Sequence, residues 1–213
     1  MHRALDLKVL YFGTPVVLVS SRNPDGSANL APMSSAWWLG QSCLLGLSNA
    51  AQTTANLKRE KECVLNLVPS SLVDAVDRLA LTTGAPTVPA YKAEMGYRYE
   101  PHKFAIAGLT AQPSELVAPP RVQQCPIQLE CQVVAAHPLI DEHVNATAFQ
   151  VNVMRAHVAD ELIIPGTHHV DPIAWDPLIM KFCEFFGDSR TVHPSRLAGA
   201  WQLPHRAAAR VGG

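Results

Sequence analysis

Two short stretches of this chain place small polar side chains where they could grip a ligand. Asn29-Leu30-Ala31-Pro32-Met33-Ser34-Ser35 is followed, one strand later, by Ser48-Asn49-Ala50-Ala51-Gln52-Thr53-Thr54-Ala55-Asn56-Leu57. Proline has no amide donor, so Pro32 implies a sheet edge, a bulge or an interruption, and such a break exposes backbone polar groups. At Gln52 the composition changes from strand-like to helix-forming, with threonines at the entrance, where free amides suit an anion. Together the segments offer an apolar slot, amide and hydroxyl donors, and an anion seat, which are the needs of a phosphorylated ring cofactor. A plainer explanation uses the same residues: Pro32 marks a bulge, the serines line a solvated strand end, and Thr53 or Thr54 caps the helix. Spacing alone favours the plainer explanation.

Other chemistry-bearing residues are more scattered. Neither a Gly-x-Gly-x-x-Gly nor a P-loop pattern is present, so a nucleotide would be held by some other device. His168-His169 with Asp171 suggests a metal site, but adjacent histidines on an extended chain point to opposite sides, which favours a solvated loop. His157 could donate a proton or sit in a strand bonded to a carbonyl. Lys103 and Arg121 could neutralise a phosphate or be surface groups. Tyr91, Tyr97, Tyr99 and Phe104 could lid a ligand or anchor a long loop. No Gly-x-Ser-x-Gly appears, and cysteine, histidine and acid are not grouped for nucleophilic catalysis.

The elements that must position these residues are mostly short strands. Thr14 to Ser21 is valine-rich and closed by Asn23-Pro24-Asp25-Gly26, a turn signal. Ala28 to Leu39 continues as the returning strand, and Ser42 to Ser48 is a third. Gln52 to Glu60 reads as a helix, and Cys63 to Val68 as a fourth strand. Ser71 and Asp74 form a candidate capping box for a helix with Leu72, Val76 and Leu79 on its apolar face. Leu81 to about Pro120 is a long Gly-, Pro- and Thr-rich excursion with short helical or irregular pieces. Pro126 to Val134 and Ala146 to Val158 return to β character, and one strand-like piece spans Leu178 to Phe186 before a low-information tail. Many short strands with few helices predict a mainly β fold, a small barrel with short helical insertions.

Composition narrows the function. The chain of 213 residues is 48% hydrophobic and only 16% charged, enough to bury a real core in one domain over 1–213. A net charge of -1 with scattered Lys and Arg offers no field for nucleic acid or an anionic membrane. The N-terminus carries no export signal and no window reaches the roughly 20 apolar residues of a membrane span, so a soluble, cytoplasmic protein is expected. Five widely spaced cysteines, with no Cys-x-x-Cys, read as buried reduced thiols.

The run FGTPVVLVSSRNPDGSANLAPMSSAWWLG, continued by LGLSNAAQTTANLKREKECVLNLV, resembles the flavin-reductase-like family of FMN-binding split barrels. The matching features are Asp25-Gly26, Asn29 to Ser35, Thr53 to Leu57 and Asn66, and KFAIAGLTAQPSELVAPPRVQQCPIQLECQVV resembles the family's middle region. The resemblance runs to about residue 160. It implies a Greek-key split β-barrel holding FMN, with Ala31, Pro32, Met33, Ser34 and Ser35 along the ring or ribityl chain. Ser48, Gln52, Thr53 and Thr54 would then lie near the phosphate, with Asn29 and Asn56 also among the cofactor's contacts. It further implies hydride transfer from NADH or NADPH, a homodimer with the flavin near the subunit boundary, and a monooxygenase or other electron acceptor as partner. An electron carrier of the flavoredoxin kind, or a barrel that binds another ligand, are the alternatives. Past residue 160 the likeness weakens: no tyrosine follows Gly187, and roles for Arg190 or His193 over the flavin do not carry over.

Overall fold

The computed structural model describes residues 1–140, 144–201, 203 and 204. The elements are β1 (Phe12–Pro15), β2 (Val17–Arg22), β3 (Ala28–Met33), β4 (Ala36–Leu39), β5 (Ser42–Ser48), α1 (Gln52–Glu60) and β6 (Glu62–Leu67). They continue as α2 (Val73–Leu79), β7 (Thr82–Thr83), α3 (Ala90–Glu94), β8 (Arg98–Tyr99), α4 (Lys103–Ala107), β9 (Ala111–Gln112) and β10 (Arg121–Val122). The last are β11 (Ile127–Ile140), β12 (Asn145–Val158), β13 (Ile179–Lys181), β14 (Glu184–Phe186) and α5 (Arg196–Ala200).

The main sheet is antiparallel and seven-stranded, in the order β3-β2-β6-β11-β12-β5-β4. Laid flat, its end strands would stand roughly 29 Å apart at the usual strand spacing. Yet β3 and β4 are consecutive in the chain and joined only by Ser34 and Ser35, a link that spans about 11 Å at most. The sheet must therefore roll until its two edges meet, which makes it a split barrel.

Strand alternation builds a core on each side of the wall. Val17 and Val19 point into the barrel with Leu45, Leu47, Leu65 and Phe149, and Leu57 of α1 plugs it. Val16 and Leu18 point outward, where Val76 and Leu79 of α2, Ala107 of α4 and Leu178 cover them. The period of two seen in the sequence thus serves both layers.

Several boundaries match the sequence reading, and four differ. The turn closes through Gly26 at φ 84, with its amide bonded to the Asn23 carbonyl at 2.9 Å. Ala28 to Leu39 is two strands on opposite edges, because the chain crosses the split at Ser34-Ser35. Leu178 to Phe186 is a hairpin, turned by Phe182 and Cys183 at positive φ. The Ser71–Asp74 capping box does not form: a single 3-10 turn over Ser70–Leu72 leads into α2, and Leu72 gives no side-chain cap. Of the cysteines, all of them free, four are buried, but Cys183 is exposed at the hairpin tip. The sequence tail from His205 onward lies outside the described residues.

The C-terminal hairpin is pinned back onto the barrel. β13 pairs with β1, and Asp176 accepts hydrogen bonds from the amides of Ser189 at 2.8 Å and Asp188 at 3.0 Å, and from the Ser70 hydroxyl. Those donors hold the Asp176 carboxyl below its usual range. Gly187 lies against Ser70 so closely that a Cβ there would collide with it.

Candidate functional site

A groove runs along β3 where the barrel is split. One part, of about 220 Å³, is lined by Asn29, Ala31, Gln52, Thr53, Thr82, Thr83, Gly84, Lys92 and Lys103 among others. A second, of about 430 Å³, is lined by Tyr11, Ser34, Ser35, Gly46, Met180 and Phe185. Pro32, Met33, Ser48, Leu81 and Tyr97 line both, so the two parts form one continuous groove. Both parts are lined mainly by apolar surface; the first carries two cations, Lys92 and Lys103, and the second carries no charged lining residue.

The polar end is built by a buried network. Asn29, 2% exposed, donates to Ser21 Oγ at 3.1 Å and to Thr53 Oγ1 at 3.0 Å. Asn56, fully buried, donates to Ser21 Oγ and Asn23 Oδ1 at 3.0 Å and accepts from Gln52 Nε2 at 2.9 Å. Helix α1 begins at this point. Ala51 precedes it without a side-chain cap, so the amides of its first turn have no intrahelical acceptor and stay available to an anion. The threonine hydroxyls do not cap the helix. Thr53 Oγ1 is taken by Asn29, and Thr54 Oγ1 donates to the Ser48 carbonyl at 2.7 Å, fixing the strand end.

Lys103 is the unusual group here. It is 3% exposed, and its ammonium reaches only the Thr82 carbonyl, at 3.5 Å, the far limit of a hydrogen bond. No described residue forms an ion pair with it. Burial pulls its pKa down to about 8, Glu100 opposes that, and Lys92 adds to it. Lys92 donates to the Ala50 carbonyl at 3.1 Å and lies over the Tyr97 ring. A buried cation without a counter-ion is costly, and it lines a cavity beside an open helix N-terminus.

Nine of the eleven residues expected to touch a cofactor line this groove: Asn29, Ala31, Pro32, Met33, Ser34, Ser35, Ser48, Gln52 and Thr53. Thr54 and Asn56 line neither part and stand behind it, holding Ser48 and Gln52. Tyr97 of the aromatic cluster lines both parts, whereas Phe104 packs into the outer core. Leu81 to Gly84, Lys92, Met180 and Phe185 were not singled out as lining residues. The hydroxyl pair and glycine of Thr82-Thr83-Gly84 were the available signal for the first of these.

Other candidates fall elsewhere. Arg121 spends its guanidinium on the Pro113 carbonyl and on Gln128 Oε1 at 3.0 Å, away from the groove, so it is no phosphate ligand there. His157 is bonded to Glu130 Oε1 at 2.7 Å rather than placed in the groove. Glu130, fully buried, also accepts from the amides of Glu115 at 2.9 Å, Leu116 at 2.6 Å and Val117 at 3.2 Å. Burial pushes its carboxyl up, but the amides and His157 outweigh that and hold it below the ordinary value. His168 and His169 are exposed on a loop, and the described residues contain no cluster able to hold a metal. Asn66 is structural: it donates to the Leu18 carbonyl and accepts from the Val122 amide at 2.8 Å.

A split barrel whose groove joins an anion-ready helix terminus to an apolar slot is the architecture of a flavin-binding class. Residues 9–177 match the family described as "Flavin reductase like domain", and the chain belongs to that family. It is 37% identical over 186 residues to the uncharacterized protein YdfE of Bacillus subtilis (strain 168), covering 87% of this chain and 88% of that one. In fold it is similar to flavoredoxin of Desulfovibrio vulgaris (Miyazaki F), with TM-score 0.74 and 20% identity over 93% of this chain and 100% of the other. It is also similar to nitrilotriacetate monooxygenase component B from Bacillus cereus, with TM-score 0.69 and 21% identity over 86% and 88% of the two chains. No described helix is long and apolar enough to cross a membrane.

Proposed function

We propose that the groove binds FMN and that the chain is an NAD(P)H-dependent flavin reductase. The carrying observation is the contiguity of the Lys103 end, which needs an anion, with an uncharged slot suited to a flat ring. Lys103, Thr53 and the first-turn amides of α1 would hold the phosphate. Ala31 to Ser35 would line the ribityl chain and ring, with Met180, Phe185 and Tyr97 covering it. The bound flavin supplies the redox chemistry, taking electrons from a reduced nicotinamide and releasing them to an acceptor. The protein's part is to bind, orient and exclude water, which explains why no acid-base pair lies in the groove. Working as one domain over 1–213, in a cytoplasmic homodimer, completes this reading. The fold likeness to a monooxygenase component B supports an oxygenase as the recipient of the electrons.

Anaerobic mixing of the FMN-loaded protein with NADH and with NADPH tests the reaction: bleaching of the flavin band by either is expected, and its absence with both removes the reductase activity. A second reading, an electron carrier of the flavoredoxin kind, is favoured by one feature. None of the residues lining the apolar part is charged, so a dinucleotide's phosphates find no cation there. That protein would bind FMN yet be reduced only by a partner.

A further inference from the structure

The end of β12 runs past its neighbour. β5 pairs with it only as far as Asn152, and the Val153 amide takes the Gln41 carbonyl at 2.8 Å. From Met154 to Val158 its one strand partner among the described residues is β11. Beside this overhang stands the 163–170 loop, in which Ile163 and Val170 form a bridge and the Ile164 amide donates to the His169 carbonyl at 2.9 Å. Strand end and loop together line a cavity of about 520 Å³, larger than either part of the β3 groove. Ala156, Val158, Ile163 and Val170 give it apolar walls, and His157, His168 and His169 bring three imidazoles. His157 and Val158 also line a polar cleft of about 290 Å³ that holds Arg121, so an apolar pocket and a cation meet at the end of β12.

Neighbours fix the polar groups here. Gln128 lies directly opposite His157 across β11 and β12, and its Oε1 accepts from Arg121 Nη1 at 3.0 Å. Arg121 Nε and Nη2 donate to the Pro113 carbonyl at 3.1 and 3.0 Å. Those three bonds leave two of the five guanidinium N–H groups for a further acceptor, and no described carboxylate pairs with Arg121. His157 spends Nε2 on Glu130 at 2.7 Å. Nδ1 is therefore the ring nitrogen left for a ligand, since the Glu115 carboxylate, at 4.0 Å, is beyond hydrogen-bond reach. Glu161, exposed to solvent, is the one carboxylate among the described lining residues.

We propose that this second cavity binds a small organic acid, with a flat apolar body between Val158, Ile163 and Val170, an anionic head at Arg121, and His157 Nδ1 bonding the ligand between them. The cavity shares no lining residue with the β3 groove, so the inference does not rest on the flavin reading. A pocket of this size takes a one- or two-ring molecule. The two remaining N–H groups of Arg121 suit a carboxylate or a similar anion. A neutral molecule of the same shape gains the walls and leaves the guanidinium with its two oxygen acceptors only.

The test is calorimetric titration of the full chain with 2-naphthoate and with 2-naphthylmethanol, which has the same rings and no charge, FMN being present in excess to fill the β3 groove. The acid is expected to bind about tenfold or more tightly than the alcohol, the scale of one charge-assisted contact. Arg121→Gln should remove that difference. Val170→Trp, which fills the pocket from the loop, should weaken both probes about tenfold through lost apolar burial, with FMN affinity as in the parent. Equal binding of acid and alcohol overturns the anionic head. Naphthoate binding unchanged in Val170→Trp overturns the cavity as its place, and no binding of either probe at about 1 mM overturns the site. The two-probe comparison needs no variant, so it holds whether or not Arg121→Gln folds. Failure of FMN to bind removes the flavin reading alone, because Val170→Trp still tells this cavity from the groove.

Discussion

Two buried ionisable groups in this molecule are treated in opposite ways. Glu130 is fully buried on β11 and is met by three backbone amides and His157. Lys103 is 3% exposed and is met by one carbonyl at 3.5 Å. Desolvating a charge costs several kcal/mol, so a fold keeps one only with partners or for a purpose. Glu130 has its partners within the chain and staples the 113–118 loop to the barrel. Among the described residues Lys103 has only the Thr82 carbonyl and the more distant field of Glu100, and it lines a cavity beside a helix N-terminus, where the proposed phosphate would complete its partners. On that proposal the satisfied buried charge is architectural and the other is kept for a ligand.

The contrast can be broken by removing each group in turn. Glu130→Ala should cost about 3 kcal/mol in urea unfolding, because several donors lose a shared acceptor at once, with FMN affinity of the folded protein unchanged. Lys103→Met should do the reverse. Its apoprotein should keep its stability or gain about 1 kcal/mol from removal of an uncompensated charge, and FMN should bind about tenfold or more weakly. An apoprotein destabilised as much as by Glu130→Ala would erase the distinction.

Acidity sharpens it next. Burial sets the Lys103 pKa at about 8 in the free protein, Glu100 raising it and Lys92 lowering it. A bound phosphate favours the protonated form, so binding takes up a proton above that pH. FMN affinity should hold level below pH 7 and fall as pH rises through 8, by at most about tenfold per pH unit, and isothermal titration across pH 6.5 to 9.5 would trace it. A profile equally steep in Lys103→Met would assign the effect to another group. Smallest should be Thr53→Ala and Ser35→Ala, each weakening FMN by about 1 kcal/mol; unchanged affinity in Thr53→Ala would place the phosphate elsewhere, and in Ser35→Ala the ribityl chain.

What could be read in the sequence was whatever is decided locally. β5 and α1 have the bounds their composition predicts, and Asp25-Gly26 turns as its φ preference requires. The nine lining residues from Asn29 to Thr53 were legible because one strand edge and one helix entrance carry them. Lys103 was named only as one of two cations that could neutralise a phosphate, and Gly84 not at all, because the Gly- and Pro-rich excursion has no period and its return to α1 is a tertiary event. Glu130 carried no signal for a different reason: in QLECQVV it alternates with Gln128 and Gln132, and only the 113–118 loop, whose amides it accepts from, buries it. The single strand expected over Ala28 to Leu39 failed at Ser34-Ser35, since nothing local says that a chain is stepping between the two ends of a sheet.

That two-residue step governs the order in which the molecule can be assembled. β3 and β4 are neighbours in sequence, yet they stand at opposite ends of a ladder whose middle rungs, β6, β11 and β12, come from much later in the chain. The edges are brought into register only after those distant strands have paired, which puts closure late and makes folding slow for a chain of this size. Ser34 and Ser35 also line the groove. Shutting the sheet and completing the binding site are therefore the same event. A ligand that occupies the groove recognises only chains that have finished folding, and so acts as a clamp on the last step.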